Sequence, residues 1–549
     1  MKKKSLLTLL LALVMVFTMA STVMAAGTYS ITVNNASTGH VYEAYQVFAG
    51  KLFIKNTDEK VLSDIVWGNG VDQTKEVDSK NVAAAFDNKS AEEIAAALKT
   101  SADAAAFAKK IAPYLTNPSS SGAQADGKYV ISNLSAGYYL VKDKDNTLNT
   151  KDDFYTAYIM QVVADVNADP KGDKPSVDKE IKEGDKTVAS NTASIGDKIE
   201  YVVSSKVPDM SNYEKYYFIL NDTMSKGLTF NNDVNITIGD KTLGADDYTV
   251  TFVVDKDNKT TAIKIVFKDF IRYKDKKGAD IKVTYSATLN QDADITSTGN
   301  INEVRLVYSN NPNITPKGDD EPGENDNVTG ETPKSEVKTY TTGLKLTKID
   351  GKTKETLTGA KFEIKGDGVK VVLINKEVYK ASENGTFYML KDGTYTETAS
   401  TDATADQYDS TTTKYEKVAA VDKTTVPTEI NAVGYVDANG ILAFEGLGEG
   451  TYTITELVAP NGYNLLKAPI TITITANATL DGCTWTVKNG ETGLTAGTDH
   501  LFAFNVVNNA GTELPSTGGI GTTVFYVLGS VLVLGAIVLL VTKRRMKRS

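Results

Sequence analysis

Short runs of β-forming residues, cut off by clusters of Asn, Asp, Gly and Lys, set the strongest limit on what this chain can become. Between residues 199 and 285 the runs are Ile199-Glu200-Tyr201-Val202-Val203, Tyr248 to Val254, Ile263 to Phe267 and Ile281 to Tyr285. Strands that short, divided by turn chemistry with few helices between them, favour an all-β sandwich. Strand-like residues also occur earlier, at Tyr29-Ser30-Ile31-Thr32-Val33, Tyr129-Val130-Ile131 and Tyr138-Tyr139-Leu140-Val141. Between them lies an Ala-rich stretch from Ala91 to Leu115, which Ser90 and Glu93 open with a capping-box pattern. That pattern predicts a scaffold helix inserted in a β domain. Later strands are expected at Leu344 to Ile349, Lys361 to Ile364, Tyr452 to Leu457, Ile470 to Thr475 and Phe502 to Asn508. A Thr- and Asp-rich segment at 396–413 reads as a long surface excursion.

Both ends read as addresses rather than fold. Residues 1–26 carry a positive Met-Lys-Lys-Lys start, an apolar run from Leu6 to Val16 and a small-residue stretch ending Ala25-Ala26, the pattern of a secretory signal peptide. At the other end the low-polarity stretch 520–541 is long enough to span a bilayer. Lys543, Arg544, Arg545, Lys547 and Arg548 follow it, which keeps that end cytoplasmic. Without these two addresses the chain has 51 basic against 69 acidic residues, a net of −18. Such an acidic surface stays soluble and repels nucleic acid. The single Cys483 rules out an intrachain disulfide. With only His40 and His500 a multi-histidine metal site is excluded, and His-based acid–base catalysis is disfavoured. There is no Gly-rich phosphate loop, Cys/His cluster or Ser–His–acid set, so no metal, no cofactor and no enzyme with turnover is expected.

Leu514-Pro515-Ser516-Thr517-Gly518, immediately before the apolar span, resembles the cell-wall sorting signal of Gram-positive surface proteins. In that family a sortase cysteine attacks the Thr carbonyl, cuts Thr–Gly and passes the acyl group to an amine. Here the bond would be Thr517–Gly518. The implied location is the cell wall and a surface pilus, after a transient membrane stage.

Most of the remaining chain resembles a major (backbone) pilin of Gram-positive bacteria. The resemblance rests on Gly39-His40-Val41-Tyr42-Glu43-Ala44-Tyr45-Gln46-Val47-Phe48 and Ala136-Gly137-Tyr138-Tyr139-Leu140, then on Val177-Asp178-Lys179 and Asn221-Asp222-Thr223-Met224-Ser225-Lys226-Gly227-Leu228. Further on, Leu346-Thr347-Lys348-Ile349-Asp350, Leu357-Thr358-Gly359-Ala360-Lys361-Phe362 and Tyr452-Thr453-Ile454-Thr455-Glu456 resemble a collagen-adhesin B-type repeat. The implied fold is mainly β, with tandem immunoglobulin-like (Cna-type) sandwiches in an elongated array and a small helical insert in the first domain. The expected division is a signal peptide (1–26), an N-terminal pilin domain (27–170), an isopeptide-forming domain (171–313) and a Pro- and acid-rich linker (314–338). A Cna protein B-type domain (339–511) and the sorting signal (512–549) complete it.

Domains of this family carry spontaneous Lys–Asn isopeptide bonds, each assisted by a buried acid. Strand parity offers an independent check, because residues two apart share a face. Val177, Lys179 and Ile181 align, as do Phe218, Leu220 and Asp222, and Val304, Leu306, Tyr308 and Asn310. Asn302 has the same parity as Asn310 and is the alternative. In the B-type domain Leu344, Leu346 and Lys348 align, as do Tyr452, Ile454 and Glu456, and Phe502, Phe504, Val506 and Asn508. Each polar residue thus falls on an inward, apolar face, where burial without a partner is costly. The resemblance therefore implies Lys179–Asn310 assisted by Asp222, and Lys348–Asn508 assisted by Glu456. The first domain shows no comparable set, since the strand ending at Lys142 lacks the needed Glu.

Polymerisation needs a second amine. The family's nucleophilic Lys follows Tyr-Pro between the first two domains, and this chain has Ala168-Asp169-Pro170-Lys171 there. Lys171 is the expected nucleophile, with Lys174 and Lys182 as alternatives. The implied partners are a pilin-type sortase, a housekeeping sortase, identical subunits, tip or base pilins, peptidoglycan and a host surface. A monomeric wall-anchored adhesin or ancillary pilin is the competing class.

Overall fold

The computed structural model describes residues 28–54, 59–148, 151–170, 174–314, 317–323, 328–366, 373–374, 378–392, 394–401, 404–418, 424–425, 432–511, 528–538 and 543. The chain packs as two compact units. The first joins Met1–Ala189, Ile199–Ala287 and Ile301–Lys338, and the second joins Ser190–Lys198, Thr288–Asn300 and Thr339–Ser549.

The N-terminal part of the first unit has a sheet ordered Lys60–Trp67, Tyr42–Ile54, Gly137–Asp143, Ala157–Val162. A second sheet sets Tyr29–Asn34 between Lys128–Leu134 and Val166–Ala168, the last of these in parallel. Ile31, Val33, Tyr42, Tyr129, Ile131 and Val141 fill a common core. Helices pack around Val47 and Phe48 through Phe86, Ile94, Phe107 and Ile111, with the Phe48 and Phe107 rings stacked at 5.1 Å. Burying each such side chain is worth about 1.5–3 kcal/mol.

The expected single helix from Ala91 is two helices, Ala91–Ala97 and Ser101–Ile111, followed by a 3-10 turn at Ala112–Tyr114. Ser90 and Glu93 do form the capping box. Thr100 and Asp103 form a second one, and that interruption restarts the helix. A side-chain oxygen bonded to a free backbone N–H is worth about 1 kcal/mol at such a start.

The rest of the first unit is a sandwich. One sheet runs Lys186–Val188, Asp178–Glu183, Lys198–Lys206, Asp280–Leu289, Asn235–Ile238. The facing sheet runs Ser335–Tyr340, Asn300–Ser309, Phe218–Met224, Thr261–Phe267, Tyr248–Val254. The stretch expected as a linker at 314–338 therefore ends in strands. Thr329–Glu331 pairs with Val307 to Ser309, and the Ser335 hydroxyl accepts from the Lys179 backbone N–H at 2.9 Å. Val328 and Val337 are buried apolar anchors that the acid- and Pro-rich composition concealed.

In the second unit Thr342–Asp350 lies between Ile441–Leu447 and the parallel strand Leu501–Asn508. The other sheet sets Gly450–Val458 between Lys361–Gly366 and Ile470–Thr479. Leu344, Leu346, Phe362, Phe444, Tyr452, Ile454 and Val506 form the core between them. The excursion expected at 396–413 is tethered by aromatic contacts: Tyr395 stacks on Tyr379 at 4.0 Å, and Tyr408 is buried. Residues 528–538 are helical with exposed apolar side chains, and the remainder of the expected span lies outside the described residues. Among the described residues no helix is long and apolar enough to cross a membrane.

Candidate functional site: buried lysine, carboxamide and acid

Lys179 is the second residue of its strand, and alternation turns it inward with Ile181. Its side chain is fully buried between the two sheets. The Nζ atom donates to Asp222 Oδ2, to Asn302 Oδ1 and to the Tyr285 hydroxyl, the last at 2.5 Å. Tyr285 comes from the same sheet as Lys179, whereas Asp222 and Asn302 come from neighbouring strands of the facing sheet, where Met224 pairs with Asn302. The Tyr285 hydroxyl donates to Asp222 Oδ2 and accepts from Asn302 Nδ2 at 3.3 Å. Tyr201 and Tyr285 wall the amine, with ring centroids 5.3 and 5.2 Å from Nζ.

Asn310, the expected partner of Lys179, lies elsewhere. It follows the end of its strand, and its Nδ2 donates to the Asp153 carbonyl at 3.1 Å while its own carbonyl accepts from Tyr155 N–H at 2.8 Å. The alternative Asn302 sits at the amine instead. Parity fixes which face a side chain takes but not how far along the strand it sits. Eight residues at about 3.3 Å each separate the two candidates by roughly 26 Å.

The second unit brings Lys348, Glu456 and Asn508 together as expected from the sequence. Lys348 and Asn508 lie on adjacent parallel strands, with Asp350 opposite Asn508. Lys348 Nζ is 3.4 Å from Glu456 Oε1 and donates to the Val506 carbonyl at 3.3 Å. Asn508 Nδ2 donates to both Glu456 oxygens, at 3.0 and 3.1 Å. The Lys348 and Glu456 side chains are fully buried.

Burial lowers the Lys179 amine to about 8 against the opposing pull of Asp222. It raises the Asp222 carboxyl despite Lys179. Burial likewise lowers Lys348, against Glu456. At the first site the lowered Lys179 and raised Asp222 favour a neutral amine beside a protonated acid, the pairing needed for nucleophilic attack on a carboxamide. Lys171 and Leu514, Pro515, Ser516, Thr517 and Gly518 lie outside the described residues, as does the signal peptide. Lys174 donates to Asp152 at 2.7 Å, and Lys182 is 3.4 Å from Glu200.

One buried cluster had no counterpart among the sequence expectations. His40 Nδ1 lies 2.6 Å from Asp143 Oδ1 and Nε2 lies 3.0 Å from Asp153 Oδ2. The ring stacks on Tyr42 at 5.5 Å. Burial opposes the imidazolium, but the hydrogen bonds it donates to Asp143 and Asp153 outweigh that and hold His40 at about 9 rather than 6.5. A raised folded-state pKa stabilises fully below the unfolded value, and the benefit is lost as pH rises through the folded one. Stability of the first domain is therefore expected to fall between about pH 6.5 and 9. Hydrogen exchange of the Val41 to Phe48 amides reads this, and His40→Gln should flatten the profile across that window. An unchanged profile in the variant would refute the assignment. The sequence offered only a lone His; its two acids lie more than 100 positions away.

Residues 195–312 match the model of the Gram-positive pilin backbone subunit 2, Cna-B-like domain. Residues 417–489 match the SpaA prealbumin-like fold domain, and residues 506–548 match the LPXTG cell wall anchor motif. Over 401 residues the chain is 28% identical to the trypsin-resistant surface T6 protein of Streptococcus pyogenes serotype M6, covering 68% of this chain and 70% of that protein. Its fold is similar to the solved T6 backbone pilin of serotype M6 Streptococcus pyogenes, with 15% identity, 89% of this chain and 100% of that chain covered, and a TM-score of 0.51. Tandem β-sandwiches with a wall-anchor motif define a cell-wall surface protein of structural kind. The chain combines a segment similar to the Gram-positive pilin backbone domain with a cell wall anchor motif, and acts as a major pilin subunit in a cell-surface pilus. An LPXTG anchor on a pilin backbone implies sortase processing, subunit polymerisation and linkage to the cell wall.

Proposed function

We propose that each subunit is joined head to tail to the next by an amide between Thr517 and Lys171, and is braced internally by Lys179–Asn302 and Lys348–Asn508 amides. The observation that carries the internal bonds is a buried lysine, acid and carboxamide gathered at each site: Lys179 bonds both Asp222 and Asn302, and Glu456 lies against both Lys348 and Asn508. Neutral Nζ attacks the Asn side-chain carbonyl carbon, ammonia leaves, and the acid moves the protons. Folding supplies the proximity that a bimolecular reaction lacks. With a single cysteine in the chain, such amides are crosslinks that no reductant opens.

The three-domain division of the subunit is part of this reading, with the second domain extended through the strands that end near Lys338. A pilin-type sortase would make the intersubunit bond, and a housekeeping sortase would pass the finished polymer to peptidoglycan. Tip or base pilins complete the assembly. Head-to-tail contacts of this sort propagate as open filaments. Lys171 is preferred because it follows Pro170 between the first two domains, where the resemblance places the nucleophilic lysine. Lys171→Ala is expected to abolish the high-mass ladder that survives boiling detergent, leaving single anchored subunits on a blot of cell-wall extract. A persisting ladder would move the nucleophile to another lysine.

A further inference from the structure

We propose that Tyr285 is a catalytic residue of the Lys179–Asn302 reaction, relaying the proton that must pass from the attacking to the leaving nitrogen. The inference rests on the internal amide proposed above. Its basis is a difference between the two buried sites.

Amide exchange has a fixed proton balance. The bond from Lys179 Nζ to Asn302 Cγ forms, the Cγ–Nδ2 bond breaks, and one proton must travel from Nζ to Nδ2 for ammonia to leave. Direct transfer would need a strained four-membered ring, so a third group that touches both nitrogens is required. In the second unit Glu456 does this alone, at 3.4 Å from Lys348 Nζ and 3.0 Å from Asn508 Nδ2. In the first unit the acid is Asp222, shorter by one methylene. Among the described residues its carboxylate bonds to Lys179 and Tyr285, and its Oδ1 has no hydrogen-bond partner. The group that meets the leaving nitrogen is the Tyr285 hydroxyl, 3.3 Å from Asn302 Nδ2 and 2.5 Å from Lys179 Nζ. Aspartate and tyrosine together thus span what one glutamate spans in the other domain.

In the step itself Asp222 first takes the proton that neutralises the Lys179 ammonium. As Nζ adds to Cγ, the phenol gives its proton to Nδ2 and receives one from Nζ, ending as it began. No oxidant or cofactor enters. Burial and the neighbouring Asp222 carboxylate hold the phenol well above its ordinary pKa, so it stays protonated until used.

The test is Tyr285→Phe in the full chain, with each bond followed by intact mass and by crosslinked-peptide mapping during refolding from denaturant. The Lys348–Asn508 bond is the internal control. The expected result is a Lys179–Asn302 bond that forms about a hundredfold more slowly, the low end for deleting a proton-transfer group, with the Lys348–Asn508 bond forming at the wild-type rate. Adding Asp222→Glu to this variant should restore the bond, because the longer carboxylate reaches Nδ2 as Glu456 does. A Tyr285→Phe chain that forms the bond at the wild-type rate overturns the relay. So does a variant whose second domain unfolds and is not rescued by the glutamate, since that result marks a packing role. A wild-type chain that loses no ammonia at either site defeats the internal amides themselves, and so is distinguishable from failure of the relay.

Discussion

Asn302→Ala is expected to lose one ammonia fewer than the wild type and to destabilise its sandwich by several kcal/mol, while Asn310→Ala keeps the wild-type mass deficit. The two residues share strand parity, and only one of them meets Lys179 Nζ. Lys179 and Asn302 are 123 positions apart, so their amide would close a long loop of the unfolded chain. By the loop-entropy argument used for disulfides, a crosslink closing roughly 100 residues is worth about 5 kcal/mol. The same bond ties the two sheets of the sandwich to one another, so thermal unfolding should respond strongly. Asn310→Ala removes a hydrogen bond to the Asp153 carbonyl, which is worth about 1 kcal/mol. Intact-mass spectrometry with a melting curve on each variant decides the matter. A normal ammonia loss in Asn302→Ala would return the role to Asn310 or dismiss the bond.

Glu456→Gln should suppress the second crosslink while leaving the first. The substitution keeps the shape and the hydrogen-bonding reach toward Asn508, but it removes the group that can take and return a proton. Lys348 is then left unreacted and buried beside a neutral amide, and the sandwich loses a crosslink worth about 5 kcal/mol by the same loop-entropy argument. The C-terminal sandwich should therefore become protease-sensitive and melt well below the wild type. Peptide mapping after limited digestion checks both points. A Glu456→Gln chain still lacking both ammonia molecules would show that proximity alone drives the reaction there.

Much of the architecture could be read without coordinates. Alternation of apolar and polar residues placed Lys179, Asp222, Lys348, Glu456 and Asn508 on inward faces, and all five are buried. The Ser90–Glu93 box foretold a helix start, because capping is a local interaction over three residues. What failed was axial position and strand membership. Thr329–Glu331 and Ser335–Tyr340 looked like linker because their neighbours are acidic and Pro-rich, and only pairing with another strand makes them sheet. Tyr285 was visible as a strand residue, yet nothing in its local pattern marked it as the group between two nitrogens.

The sequence alone determined the chemistry available: an acidic β-patterned chain with one cysteine, a sorting motif, and lysines, asparagines and acids at buried parities. These follow from residue type and period, which are local. Tertiary structure alone decided which asparagine meets Lys179, that His40 lies between Asp143 and Asp153, and that Tyr285 completes the shorter acid's reach. Those outcomes depend on register between strands far apart in the chain. Register is set by the packing of two whole sheets, a sum over many side chains that no short window of sequence contains.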